Sequence, residues 1–538
     1  MRITNKVMQN NSLTNINTNK LLQDKLSTQM ATEKKVNRPS DDPVVAIRAL
    51  RLRTNVNQIT QYYGKNAPDA DSWLKLTEDA ITSMTDVVTD MIANATRGSN
   101  GELKTEDRET ILTALKSLRD EVYSTGNTDY AGRYIFTGYR TDSSLTYTED
   151  TTERYSITEQ LDSSKLDTVG YVETDKLLEI NEANYQAYQA VNENNITNSE
   201  VYRLRLSYKD IADKNGNQNT FPRLQTYDDQ NNTFADLTQV KDATGADVAV
   251  AYESISLHHD PSPYADIQNK KNSVILVKET GELLLGENVY KHLMSLQDNP
   301  ATMGVNEGEI RVTYEKEDWK DGDLKPEHYF ACTKKDVPNV GDISYNESYL
   351  EGIEEKQAIE YDVGLNQRIR VNTTADEIFK HDIGRDVDDM IATMEETLKI
   401  EKLVAKLEGI LEEEKFVNDP NADTIRATLQ QQLDAANKAL TFSKDKTQKM
   451  YEGCITKMQG HLDTVNLAST QNGTRSQRLE LITNRLMSQK TNFETLKSEN
   501  EDADITEVAI KLGSAELTYN ASLMATGKIL QNSLMNFI

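Results

Sequence analysis

Apolar positions repeat with a helical period at both ends of this chain and a period of two between them. Toward the C-terminus, Ile505, Val508, Leu512, Ala515, Tyr519, Leu523, Leu530, Leu534 and Phe537 recur mostly in steps of three and four. That spacing predicts an amphipathic helix or coiled-coil seam over residues 504–538. Gly513 and Gly527 fall inside it, each weakening a helix by about 1 kcal/mol relative to alanine, so the helix is marginal alone. The N-terminus makes a matching offer. Ile3, Val7, Leu13, Ile16, Leu22, Leu26 and Met30 recur near helical spacing among Asn5, Asn10, Asn11, Asn15, Asn17 and Asn19, which are poor interior helix formers. Residues 1–36 are therefore expected to form a second helix in need of cover. The economical solution pairs the two ends with each other and with other copies of the chain. The expected interface residues are Ile3, Val7, Leu13, Ile16, Leu22, Leu26, Ile505, Val508, Leu512, Tyr519, Leu523, Leu530, Leu534 and Phe537.

Between the ends the pattern changes twice. Asn37-Arg38-Pro39-Ser40-Asp41-Asp42-Pro43 breaks the first helix, because each proline removes a donor and restricts the residue before it. Asp41 or Asp42 then serves as N-cap of a new helix with Pro43 near its first position. Val44, Ile47, Leu50, Val56 and Ile59 mark that helix, and Gly64 with Pro68 predicts a kink or restart. Trp73, Leu76, Ile81, Met84, Val88 and Ile92 continue to Gly98, and Ile111, Leu115, Leu118 and Val122 mark a returning helix. From about 140 the period drops to two. Leu204, Leu206 and Tyr208 alternate with Arg203, Arg205 and Ser207, and Ile310, Val312 and Tyr314 alternate with Arg311, Thr313 and Glu315. Residues 274–277 and 283–285 flank Glu279-Thr280-Gly281-Glu282, a hairpin signal. After about 376 the helical period returns, with a hairpin of residues 398–411 and 425–440 around Asn418-Asp419-Pro420. No proline follows Pro420, and Leu479, Ile482, Leu486, Phe493 and Leu496 keep a heptad-like seam. Residues 499–504 interrupt the stripe and supply N-capping carboxylates for the last helix.

The layout is palindromic. It predicts a mainly α chain with a β-rich insertion: a long helical bundle or coiled coil formed by the N- and C-terminal arms, plus a central α+β or β domain. The expected divisions are residues 1–36 with 504–538 (an inner polymerisation domain), 37–139 with 372–503 (a helical rod), and 140–371 (an outer β-rich insertion).

Composition narrows the function. Over 538 residues, 87 acidic side chains exceed 60 basic ones for a net charge of −27, which disfavours nucleic acid and anionic membrane as partners. Hydrophobic residues make up 37% and mean hydropathy is −0.66, which suits elongated helices better than one thick core. Cys332 and Cys454 provide no disulfide framework. No apolar run is long enough to span a membrane, and Met1-Arg2-Ile3-Thr4-Asn5-Lys6 does not open a Sec-type signal peptide; export would take another route.

Chemical constellations are weak. His258-His259-Asp260 reads as a surface turn before Pro261 rather than a metal site. Asp382, Asp386, Asp388 and Asp389 lack calcium-loop spacing and read as a solvated helix face. Cys332 and Cys454 read as buried or idle. No catalytic residue, cofactor site or metal site is expected, and the chain is read as a structural protein rather than an enzyme. Arg48, Arg51 and Arg53 are the densest basic cluster, and pairing with acidic residues of the second arm or of a neighbour is the preferred reading.

Several strings carry a family resemblance: Met1-Arg2-Ile3-Thr4, the loop Asn37-Arg38-Pro39-Ser40-Asp41-Asp42-Pro43, Arg48-Ala49-Leu50, Ser72-Trp73-Leu74, Gly132-Arg133-Tyr134-Ile135-Phe136-Thr137-Gly138, Asn472-Gly473-Thr474-Arg475 and Arg478-Leu479-Glu480. With the closing residues 523–538 they resemble the bacterial flagellin family, and within it the hook–filament junction proteins. The resemblance covers residues 1–139 and 361–538. It implies a structural component of the flagellum, secreted through the flagellar type III channel and supporting motility. Its expected partners are further copies in a ring-like oligomer, hook-associated protein 1, flagellin and a flagellar export chaperone. Two alternatives stay open: a flagellin or minor filament subunit, and a filament-mounted middle domain that binds glycans or carries an enzyme.

Overall fold

The computed structural model describes residues 5–174, 177, 193–212, 221–228, 233–296, 309–351, 357–413 and 420–535, with the backbone alone for Asn5, Glu351 and 529–535. Ile3 and Phe537, the side chains of Leu530 and Leu534, and Asn418-Asp419 therefore lie outside the described residues. Among the described residues seven long helices stand out: α1 (Asn5–Thr32), α2 (Pro43–Gln61), α3 (Ala67–Gly98), α4 (Thr105–Gly126), α5 (His381–Glu412), α6 (Ala422–Glu501) and α7 (Ile505–Met535). The middle region is β-rich, so the chain is mainly α with a β insertion between helical arms, as the periodicity predicts. Two compact units result: Met1–Ser72 with Tyr361–Ile369 and Ser476–Ile538, and Trp73–Glu360 with Arg370–Arg475.

In the first unit, α1 stops at Thr32 rather than near residue 36, because Glu33 turns into the left-handed region at φ 57°. The loop that follows is built as its residues dictate. The Asp42 carboxylate accepts from the N–H groups of Val44 (3.0 Å) and Val45 (3.1 Å), and Pro43 occupies the first helical turn. Asp41 folds the loop on itself, accepting from the Arg38 N–H at 3.1 Å. Gly64 and Pro68 do not break the helix. A single π turn, Tyr62–Asn66, links α2 to α3 there, with the Ala67 N–H donating to the Tyr62 carbonyl. Pro68 has no N–H to give to a carbonyl four residues back, and a locally widened turn absorbs that loss.

In the second unit, eleven strands form two sheets: β1 (Tyr155–Leu161), β2 (Leu166–Val172), β3 (Asn198–Arg205), β4 (Arg223–Asp228), β5 (Thr233–Asp236), β6 (Ala251–Ser254), β7 (Ser273–Val277), β8 (Glu282–Leu285), β9 (Ile310–Lys316), β10 (Ala331–Val337) and β11 (Gly341–Tyr345). One sheet has the order β11-β10-β1-β9-β4-β5 and the other β6-β7-β8-β3-β2. The alternation of Ile310, Val312 and Tyr314 becomes a strand whose every second residue is buried, with Tyr314 opposite Ile157 of β1. The β7–β8 hairpin pairs Val274 with Leu285 and Val277 with Glu282. Its turn needs Gly281: φ is +66°, and an added Cβ would sit 1.9 Å from the Tyr208 carbonyl oxygen.

The helical hairpin expected around Pro420 is present in α5 and α6, where Val404 and Leu407 pack with Ile425, Leu429, Leu433 and Ala436. Further along, a buried hydroxyl set ties the same two helices. Thr397 Oγ1 lies 2.7 Å from Ser443 Oγ and 2.8 Å from Thr447 Oγ1. The Gly132–Gly138 string also packs here, with Phe136 edge-on to Phe379 at 4.8 Å and its carbonyl accepting from the Ala375 N–H.

Candidate functional site

The paired terminal helices are the part of the molecule whose apolar residues are least satisfied. α1 and α7 share a small core of Leu26, Val508 and Ala515, with Leu512 and Ala503 partly buried against it. Asn19 Nδ2 donates to Ser522 Oγ at 3.0 Å. At the base the pairing becomes a short antiparallel bridge, Lys34 to Asp502. There the Lys35 N–H donates to the Glu501 carbonyl (2.7 Å) and the Ala503 N–H to the Glu33 carbonyl (2.9 Å). The carboxylate of Asp502 pairs with Lys34. Glu501, itself buried, takes both nitrogens of Arg53 in a fork of two 2.7 Å bonds, a planar match that arginine alone supplies. That hydrogen bond and the Glu501 charge hold the Arg53 guanidinium above its ordinary range. Asn500 reaches the Val45 carbonyl at 3.3 Å. Asp504 caps α7, accepting from the N–H groups of Thr506 (2.9 Å) and Glu507 (3.1 Å).

The seam inside this pair is surprisingly polar on one side. The α1 residues that turn partly or fully inward are Gln9, Ser12, Ile16, Asn19, Gln23, Leu26 and Gln29, two of seven being aliphatic. Val7, Met8, Leu13, Leu21, Leu22 and Met30 are exposed. On α7 the inner line is Val508, Leu512, Ala515, Tyr519 and Ser522. A second apolar line, Ile510, Leu517 and Met524, runs at seven-residue spacing on another face, 69–75% exposed. Of the residues expected from the sequence, Leu26 and Val508 are buried in the pair, and Ile16, Leu512 and Tyr519 are half-buried. Val7, Leu13, Leu22, Ile505 and Leu523 face outward. The outward line Ile510, Leu517 and Met524 was missed by reading one stripe per helix. Its signal was a heptad offset by two residues from the first, about 200° around the helix.

The other concentration of functional chemistry is a buried ion network in the second unit. Asp382, Asp386 and Asp389 form one stripe of α5, at steps of four and three. Arg203, 3% exposed, forks onto Asp167 (2.8 and 3.1 Å), meets Asp389 at 2.6 Å and also pairs with Glu282. Arg205 bridges Asp389 (2.6 Å) and Asp386 (2.5 Å). Asp386 further accepts from His461 at 3.0 Å and faces Lys457 at 3.5 Å. Asp388 binds Arg119 at 3.0 Å and Lys209. Lys165 pairs with Asp382. The solvated-face reading of these aspartates is therefore wrong: the stripe meets the alternating Arg203 and Arg205 of β3. Burial works to raise the Asp386 carboxyl, but the His461 hydrogen bond and the charges of Arg205 and Lys457 outweigh it and hold it at about 2. Asp389 is likewise driven down by Arg203 and Arg205 against the effect of its burial. Burial pushes the Cys454 thiol up to about 12, so it is no ready nucleophile. Cys332 is also buried, and His258 and His259 lie in an exposed turn. Among the described residues no group of three or more His, Cys, Asp or Glu is arranged to hold a metal, and no helix is long and apolar enough to cross a membrane.

Residues 3–141 match the bacterial flagellin N-terminal helical region. The chain is 31% identical over 177 residues to flagellar hook-associated protein 3 of Salmonella typhimurium, covering 32% of this chain and 55% of that protein. It is 30% identical over 176 residues to flagellar hook-associated protein 3 of Escherichia coli, covering the same shares. The chain thus spans about half the length of the curated relatives it matches. The flagellar junction protein FlgL of Legionella pneumophila aligns with 81% of this chain and 99% of its own at 10% identity and a TM-score of 0.27, too loose a likeness to carry an argument. The N-terminal arm is thus similar to the bacterial flagellin N-terminal helical region over residues 3–141, and the chain is similar over about a third of its length to proteins named flagellar hook-associated protein 3.

Proposed function

We propose that this chain is a structural subunit of the bacterial flagellum that works as an adaptor at the junction of hook and filament. It assembles as a short ring of copies between hook-associated protein 1 and flagellin. The observation that carries the reading is the outward apolar surface of the paired ends: Val7, Leu13, Leu21 and Leu22 on α1, and Ile510, Leu517 and Met524 on α7. A leucine-sized side chain gains roughly 1.5–3 kcal/mol on burial, so a few such residues per contact hold neighbouring subunits. Contacts between different faces of like subunits give a ring where the rotation closes and a helical array where it does not. The relatives named as hook-associated protein 3 support a place at the junction over one along the filament. On this reading the chain is extracellular when assembled, leaves through the flagellar export channel, and has its apolar C-terminal helix covered by a chaperone beforehand. It performs no catalysis. Immunogold labelling of isolated flagella tests the position. A single band at the outer end of the hook is expected; label along the whole filament would assign the chain to the flagellins instead.

A further inference from the structure

Asn100 and Gly101 lie in the turn between α3 and α4, and the turn is arranged for a reaction within the main chain itself. An asparagine followed by glycine cyclises when the glycine nitrogen reaches the side-chain carbonyl carbon, and glycine has no Cβ to hinder that approach. Asn100 is exposed. Its Oδ1 accepts from the Glu102 N–H at 3.1 Å, an Asx turn that folds the side chain back over the main chain of Gly101. The same bond polarises the carbonyl and is placed to stabilise the negative oxygen that attack creates. The Gly101 N–H has no hydrogen-bond acceptor among the described residues, so the attacking nitrogen is free. The Gly101 carbonyl accepts from Nη2 of the buried Arg108 at 3.3 Å, which holds the turn in this shape.

The second Asn-Gly pair among the described residues, Asn472-Gly473, has none of these features. It lies inside α6, where the Gly473 N–H is spent on the helix. Asn472 is fully buried, and its Nδ2 donates to the Leu74 carbonyl at 3.0 Å. We propose that Asn100 is a site of spontaneous deamidation through a cyclic imide, and that the fold protects Asn472 from the same reaction. The Gly101 nitrogen gives its proton to water and bonds to Asn100 Cγ. The Cγ–Nδ2 bond breaks, and Nδ2 takes a proton from water and leaves as ammonia. Water then opens the imide. Cleavage at Cγ gives aspartate; cleavage at the main-chain carbonyl gives isoaspartate, in which the chain runs through the side chain. Either product adds a carboxylate to the α3–α4 turn. The inference does not rest on the flagellar role of the chain.

Incubation of the purified full chain at mildly alkaline pH, followed by tryptic peptide mapping with mass spectrometry, tests this. Residues 98–104 form the peptide that carries Asn100, and residues 458–475 the one that carries Asn472. The first is expected to accumulate the acid form, with isoaspartate detected by enzymatic methylation. The second should stay amidated until urea unfolds the chain. Gly101→Ala should suppress the change at Asn100. An added Cβ there meets only Gln448 Oε1 at 3.5 Å, an ordinary contact, so the variant keeps the fold while its methyl group hinders the attack. An intact Asn100, conversion no faster than that of Asn472 in the folded chain, aspartate without isoaspartate, or a rate indifferent to Gly101→Ala would each overturn the proposal.

Discussion

The α1–α7 pair and the β7–β8 hairpin use aliphatic residues in opposite ways. In the hairpin every residue of both strands is buried, and the hydrophobic energy of Val274, Ile275, Leu284 and Leu285 is spent within the chain. In the terminal pair the inward side of α1 carries Gln9, Ser12, Asn19 and Gln23, while Leu13, Leu21 and Leu22 look outward. The two regions also handle charge differently. The second unit buries whole ion clusters around Arg203, Asp386 and Asp389. The first relies on local devices at the base of the helix pair: the Asp42 and Asp504 caps, the Lys34–Asp502 bridge and the Arg53–Glu501 fork. One region is complete as it stands. The other is tied at its base and leaves apolar residues exposed, which the proposed assembly would cover.

That contrast can be broken by substitution. The largest effect should follow from removing residues 523–538, or from Leu517→Asp with Met524→Asp. Either should abolish incorporation into flagella, scored by electron microscopy, while the circular dichroism melting of the second unit stays in place. Next in size, Arg203→Met leaves the buried Glu282 without its arginine and takes one of two cationic partners from Asp389 and from Asp167. Removing one member of a buried pair costs about 3–5 kcal/mol, so urea unfolding of the second unit should shift by that amount with assembly contacts untouched. Acid should act in the same place. Asp386 is held near pH 2 when folded, against about 3.9 in an unfolded chain. Its depressed value contributes stability above about pH 4 that is lost as pH falls toward 2. Melting temperature of the second unit should drop steeply across that window, and Asp386→Asn should flatten the drop. The smallest effect is local: Asp42→Ala removes the α2 cap and should cost about 1 kcal/mol in the first unit alone.

Much of this architecture is readable from the chain. Periods of 3.6 and 2 separated helical arms from the β insertion, and the Pro-Ser-Asp-Asp-Pro string gave the α2 cap because proline and aspartate act locally there. The Glu279–Glu282 hairpin was legible for the same reason, since Gly281 permits a turn few other residues can make. Long-range pairings were not. The Asp382–Asp389 stripe reads as solvated because the sequence does not say that Arg203 and Arg205, some 180 residues earlier, will face it. The π turn at Tyr62–Asn66 was hidden because a proline signals disruption without saying whether the helix breaks or widens. On the candidate interface, the inner face of α7 was legible and the outer line Ile510, Leu517 and Met524 was not. Reading a helix for one apolar stripe overlooks a second on another face.

Hydrogen–deuterium exchange on the purified monomer and on assembled flagella measures the central claim directly. The account predicts that amides of α1 and α7 exchange rapidly in the monomer while β7 and β8 remain protected, and that α1 and α7 become protected on assembly. Terminal helices already as protected in the monomer as the β7–β8 hairpin, or unchanged by assembly, would contradict it.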